Sequence, residues 1–119
     1  MKTVLWVSRH EMGRTQREDL ERIMGGPVRL LPWRDTVRDV LELAPALAEA
    51  DAAAVVLPLD LLAQLLPLAE GKPVLQAVSA REATGRTLLT SDGKTEPEFA
   101  YLHRGWRRVR RLELVTEEL

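Results

Sequence analysis

Unbroken apolar runs alternate with segments of helical period along the first two thirds of the chain. Val4-Leu5-Trp6-Val7 has strand length and no polar face, as expected of a central parallel strand covered on both sides. Thr15-Gln16-Arg17-Glu18 then has capping-box form, and a first helix is expected over residues 15–24, with Leu20, Ile23 and Met24 on one face and Gly25-Gly26-Pro27 as its stop. Residues 28–31 read as a second strand closed by Pro32. From Thr36, the apolar positions Val37, Val40, Leu41, Ala44, Leu47 and Ala48 predict a second helix, which Pro45 should kink or split. "AAAVVL", residues 52–57, is an interior strand ended by Pro58. Residues 59–70 form a leucine-rich third helix strained by Pro67, and "VLQAV", residues 74–78, is the fourth strand.

This order of strands and helices predicts right-handed crossovers onto a mostly parallel sheet, an α/β, three-layer Rossmann-like fold with strand order 2-1-3-4. After Ser79 the pattern changes. Asp92-Gly93 stands between two strand-like segments, the favoured composition of a tight hairpin, so an antiparallel addition is expected. Residues 106–115 read as a last strand with Val109, Leu112 and Leu114 inward, or else as a short amphipathic helix. A single domain over residues 1–119 follows, with a βαβαβαβ core over 1–78 and a hairpin plus basic strand over 79–119.

Charge changes the picture at one end. The formal net charge is -1, yet residues 101–111, "YLHRGWRRVRR", hold five of the 17 basic side chains and none of the 18 acidic ones. Arginine outnumbers lysine 14 to 3, which favours forked hydrogen bonding to phosphate or carboxylate. The chain contains no cysteine, which excludes disulfides and thiolate metal sites and suits a reducing cytoplasm. No run approaches the roughly 20 apolar residues of a membrane helix, and no secretory leader is recognisable.

Candidate chemistry follows from the topology. Ligands of open parallel sheets bind beyond the carboxyl ends of the strands, where strand order reverses. With order 2-1-3-4, Ser8-Arg9-His10 and Pro58-Leu59-Asp60 would flank that crevice, Ser79 and Arg81 would close its other side, and the start of the first helix near Arg14 would favour an anion. Each residue also has an ordinary structural reading: Ser8 can cap its own turn, Arg9 can be solvated, and His10 can bond a backbone carbonyl. No glycine-rich phosphate fingerprint accompanies them, which argues against dinucleotide and nucleoside triphosphate cofactors. No cofactor is expected. The two histidines, His10 and His103, lack carboxylates at ligand spacing, so no metal site is expected, and no G-x-S-x-G elbow occurs. Trp6 and Trp33 read as core, and Trp106 either stacks on a base or anchors its strand.

The opening "VLWVSRHEMGRTQREDLERI" resembles the first strand and helix of small single-domain proteins of the CRISPR-associated Rossmann-fold (CARF) superfamily, several of which carry Ser-x-His or Ser-His after that strand and Thr-x-x-Gln or a nearby glutamine in the helix. "AAAVVLPLDLLAQLL" and "AYLHRGWRRVRRLELV" are similar in placement to their later strands. The resemblance implies a stand-alone antiviral-defence protein that binds cyclic oligoadenylate across a homodimer, and whose relatives often act as metal-independent ring nucleases. In that reading the ribose 2′-hydroxyl attacks the adjacent phosphorus, Ser8 and His10 are the catalytic pair with His10 as general acid or base, and Arg9 and Arg81 grip phosphate. Arg14, Ser79 and Asp60 complete the expected ligand-binding set. The chain departs from the pattern in the arginine between Ser8 and His10 and in Gly13-Arg14 at the helix approach. The leucine surplus of the third helix adds to the expectation of a homodimer. The alternative is a nonenzymatic interaction module whose arginine-rich tail binds an acidic protein or nucleic acid.

Overall fold

The computed structural model describes residues 1–113 and 115–119. Strands Lys2–Val7 (β1), Val28–Trp33 (β2), Ala52–Val55 (β3), Val74–Leu89 (β4) and Thr95–Arg108 (β5) form one sheet in the order 2-1-3-4-5, parallel except for the antiparallel β4 and β5 pair. The alternation of apolar runs and helical segments therefore translates into the expected α/β sheet, with β1 and β3 interior. Helix Arg14–Met24 (α1) covers one face; a 3-10 turn at Val40–Leu43, helix Ala44–Glu49 (α2) and helix Leu59–Leu68 (α3) cover the other. Val4 and Trp6 point toward α1 with Leu20 and Val28, while Leu5 and Val7 point toward Leu43, Leu47, Leu62 and Leu65. The unbroken apolar runs follow from this two-sided burial. No helix among the described residues is long and apolar enough to cross a membrane.

Local chemistry moves several boundaries. The first helix is capped by Gly13, not by Thr15: the Gln16 side chain accepts from the Gly13 N–H at 2.9 Å, supplying half of a capping box two residues earlier. The second helix does not begin at Thr36. Asp39 accepts from the Leu41 N–H and starts the 3-10 turn, and Pro45 sits in the first turn of α2, where its missing N–H costs no hydrogen bond. The tighter turn changes the phase, so Leu43 is buried and Leu41 is exposed. β3 stops at Val55 and α3 at Leu68, both short of the expected ends.

The largest difference lies after Val78. β4 does not end there but continues to Leu89, turns through Thr90 to Lys94 with Gly93 at φ 82°, and returns as β5. The last strand is consequently not 106–115. β5 closes at Arg108, one further ladder bond runs from the Val109 N–H to the Val74 carbonyl at 2.8 Å, and Leu112 packs on the core without strand pairing. Leu114 lies outside the described residues. The outer part of the hairpin projects as an arm: the radius of gyration is 17.2 Å, against roughly 13.5 Å for a compact chain of this length.

The leucines of α3 are mostly used inside the fold. Leu62 and Leu65 are fully buried, Leu61, Leu66 and Leu68 pack against the same cluster, and Leu59 alone among them is strongly exposed.

Candidate functional site

β1 delivers its polar end to the carboxyl edge of the sheet. The Ser8 N–H still bonds the Trp33 carbonyl at 3.1 Å, as if the parallel ladder continued, and the buried Ser8 hydroxyl accepts from the His10 N–H at 3.1 Å. The Trp6 indole N–H donates to the His10 carbonyl at 2.9 Å and fixes the reversal of the chain. Ser8 therefore organises its own turn, which needs no glycine because side-chain and indole groups satisfy the backbone. The His10 side chain is left exposed at the surface. Arg9 extends across the edge to hydrogen-bond the Thr36 hydroxyl in the loop after β2.

Two grooves flank this edge. One, of about 210 Å³, is lined by Ser8, Arg9, Asp35, Thr36, Leu57 and Pro58. The other, of about 300 Å³, lies toward α1 and is lined by Trp6, Gln16, Gln76, Ser79 and Arg107. Val56 and Leu57 border both, because the chain continues past β3 with the Val56 N–H bonded to the Val7 carbonyl at 2.8 Å. The reversal of strand order thus places a ridge, with a groove on each side of it, where a single crevice was expected.

The candidate residues distribute unevenly over these grooves. Ser8 and Arg9 share the first and Ser79 borders the second. His10 borders neither. Arg14 is exposed and paired with Glu18 at 2.9 Å. Asp60, in the first turn of α3, borders a separate apolar groove with Leu59, Ala63 and Leu112. Arg81 stands on the projecting hairpin, its guanidinium 4.0 Å from the centre of the Phe99 ring. The Arg107 guanidinium donates to Gln76 at 3.1 Å within the second groove.

A cluster not anticipated from the sequence fastens the hairpin base to α1. The His103 Nε2 donates to the Asp19 carboxylate at 2.9 Å, the Trp106 indole donates to the Gln16 carbonyl at 2.9 Å, and Trp106 meets Trp6 edge to face at 6.1 Å. His103 retains only 7% of its side-chain exposure, and its Nδ1 is buried with no partner among the described residues. The hydrogen bond from His103, and then that from Arg22, hold the Asp19 carboxyl below its ordinary value. Trp106 is here a strand anchor. Asp19 and His103 lie 84 positions apart and carry no local signal that would join them.

The basic tail is partly neutralised within the fold. Arg104 pairs with Glu82 and Arg111 with Glu113, while Arg108 donates to the Gly71 carbonyl at 3.1 Å. Comparison with protein-family models, with curated proteins and with solved structures gives no match for this chain.

Proposed function

We propose that the protein binds a phosphate-bearing nucleotide, of the cyclic oligoadenylate class, at the carboxyl ends of β1 and β3, and that it does so as a CARF-type protein. The observation that carries this reading is the first groove: Arg9 and Thr36 stand at its rim, Ser8 in its wall, at the point where strand order reverses. Among the described residues Arg9 is hydrogen-bonded only to a neutral hydroxyl, which leaves most of its donors for an incoming anion. Cleavage of the ring is the second part of the proposal. The ribose 2′-oxygen would attack phosphorus, its proton passing to a base, while the 5′-oxygen leaves with a proton, giving a 2′,3′-cyclic phosphate and a free 5′-hydroxyl. His10, exposed at the same strand end, is the residue proposed to carry that proton.

Titration calorimetry with cyclic tri-, tetra- and hexa-adenylate tests the binding. Arg9→Ala is expected to weaken it about tenfold, roughly 1.4 kcal/mol, with the melting temperature unchanged. Failure of all three rings to bind the wild-type protein would overturn the ligand class. His10→Ala should abolish cleavage and spare binding; wild-type cleavage by that variant would remove His10 from the chemistry. A second reading, a nonenzymatic module for acidic partners, is favoured by a groove of about 360 Å³ bordered by Lys72, Arg108 and Arg110. Salt-sensitive RNA binding in the absence of any response to cyclic adenylates would support it instead.

A further inference from the structure

We propose that the free edge of β4 beyond Leu75 is a docking edge for an extended, acidic segment of another protein, which adds to the sheet in the lane that β3 vacates. The parallel pairing of β3 with β4 ends at Ala54 and Leu75, because the chain beyond Val55 stays beside β1 through Val56 and turns into α3 at Leu59. β4 runs on to Leu89 along β5 alone. The two strands therefore part, and the gap that opens between them is the second groove, about 300 Å³, with Trp6, Val56 and Leu57 in its apolar wall.

Two bonds fix which backbone groups face this lane. The Ala53 N–H donates to the Pro73 carbonyl at 2.9 Å, and the Val109 N–H to the Val74 carbonyl at 2.8 Å. Strand alternation then turns Gln76 and Val78 toward β5, and the N–H and C=O groups of Ala77, Ser79, Arg81 and Ala83 toward the vacated lane. The register shift at Val78/Ser79 places its extra residue, Arg104, on β5, so the alternation of β4 is unbroken to Ala83. No strand pairs with this edge among the described residues. Donors and acceptors repeating at strand spacing are matched by another extended backbone, whereas a small ligand, a nucleic acid or a lipid surface answers only one or two of them.

The side chains beside the edge select the partner. Ser79 and Arg81 stand on one face of β4, Val78 and Ala80 on the other. The Arg81 guanidinium lies 4.0 Å from the centre of the Phe99 ring and bonds no carboxylate among the described residues. An incoming strand that alternates acidic and apolar residues sets its carboxylates beside Arg81 and its apolar side chains beside Val78 and Ala80. Opposite charges paired across neighbouring strands stabilise a sheet, and like charges oppose it. The same edge of a second copy of this chain brings no free carboxylate to Arg81, since Glu82 lies on the other face and is already paired with Arg104. The proposal does not depend on the nucleotide reading, and its test is made without nucleotide.

Amide hydrogen exchange reads the edge directly. In the free protein the Gln76 and Val78 amides should exchange slowly and those of Ala77, Ser79 and Arg81 quickly. A short blocked peptide of alternating valine and glutamate, at millimolar concentration, should slow the second set by at least about tenfold and leave the first unchanged. The matching peptide of valine and lysine should not. Arg81→Glu, with an unchanged circular dichroism spectrum, should reverse the preference between the two peptides. Absence of slowing by the glutamate peptide overturns the proposal, as does equal slowing by both peptides or a preference that Arg81→Glu leaves in place. Slow exchange of the Ala77, Ser79 and Arg81 amides without peptide also overturns it: slowing that grows with protein concentration assigns the edge to a second copy, and slowing independent of concentration means that the lane is closed within the chain.

Discussion

Asp19 shows how a single residue joins elements that the sequence keeps apart. Its carboxylate accepts from His103 on β5 and from Arg22 one turn along α1, and both bonds favour the ionised form. The folded-state pKa consequently lies below the 3.8 of the free side chain. Stability from these bonds is fully present above that unfolded value and is lost as pH falls through the lower folded one. Thermal melts of the wild type and Asp19→Asn should therefore differ at neutral pH, and the difference should begin to shrink only below about pH 4. A difference that stays constant from pH 7 to pH 3 would show that the charge of Asp19 contributes nothing. Arg9 presents the opposite case. It contacts one neutral hydroxyl, so its loss should register in ligand binding more than in folding.

At the scale of elements, the segment 37–49 illustrates why apolar spacing alone misplaces a boundary. Val37, Val40, Leu41, Ala44, Leu47 and Ala48 fit one helical face on paper. Yet Pro45 can occupy a helix without loss only in its first turn, and Asp39 offers its carboxylate to the Leu41 N–H, so a 3-10 turn precedes a short helix. The buried set becomes Val40, Leu43 and Leu47. Leu43→Ala should cost about 2–5 kcal/mol in urea denaturation, and Leu41→Ala less than about 0.5 kcal/mol. Equal costs would mean that the continuous-helix pattern describes the segment better. The same weighing applies to α3, whose leucines look surplus in sequence but largely pack on the sheet. The unsatisfied apolar surface lies on the hairpin instead.

For the whole molecule, the distribution of charge sets how anions are drawn to it. Residues 101–111 concentrate five arginines, but Arg104 and Arg111 have carboxylate partners and Arg107 is tied to Gln76 beside the second groove. Such a tail acts mainly as a general attraction, screened beyond about 8 Å at physiological ionic strength. Replacing Arg107 and Arg111 together with glutamine should slow nucleotide association at low salt and have little effect at high salt. Loss of binding at every salt concentration would place Arg107 in the ligand site itself, where its position beside Ser79 makes direct contact possible. The projecting arm belongs to this scale too, since it raises the radius of gyration to 17.2 Å, above that of a compact chain, and leaves Leu88, Leu89, Phe99, Tyr101 and Leu102 exposed.

The sheet and its order were legible in the sequence because two-sided burial leaves a mark on every residue of a strand. Val4 to Val7 and Ala52 to Val55 are apolar without interruption for that reason, and the helical segments between them impose parallel crossovers. Asp92-Gly93 marked the hairpin turn because a tight reversal demands those residue types. The candidate site was legible only in part. Ser8 and Arg9 could be placed at a strand end from topology, but the ridge of Val56 and Leu57, the reach of Arg9 to Thr36 and the separation of Asp60 and Arg81 from the grooves depend on how loops pack. The length of the arm and the joining of Asp19 to His103 were also decided in three dimensions. An exposed ribbon carries no burial pattern in its sequence, and a hydrogen bond across 84 positions leaves no periodicity to read.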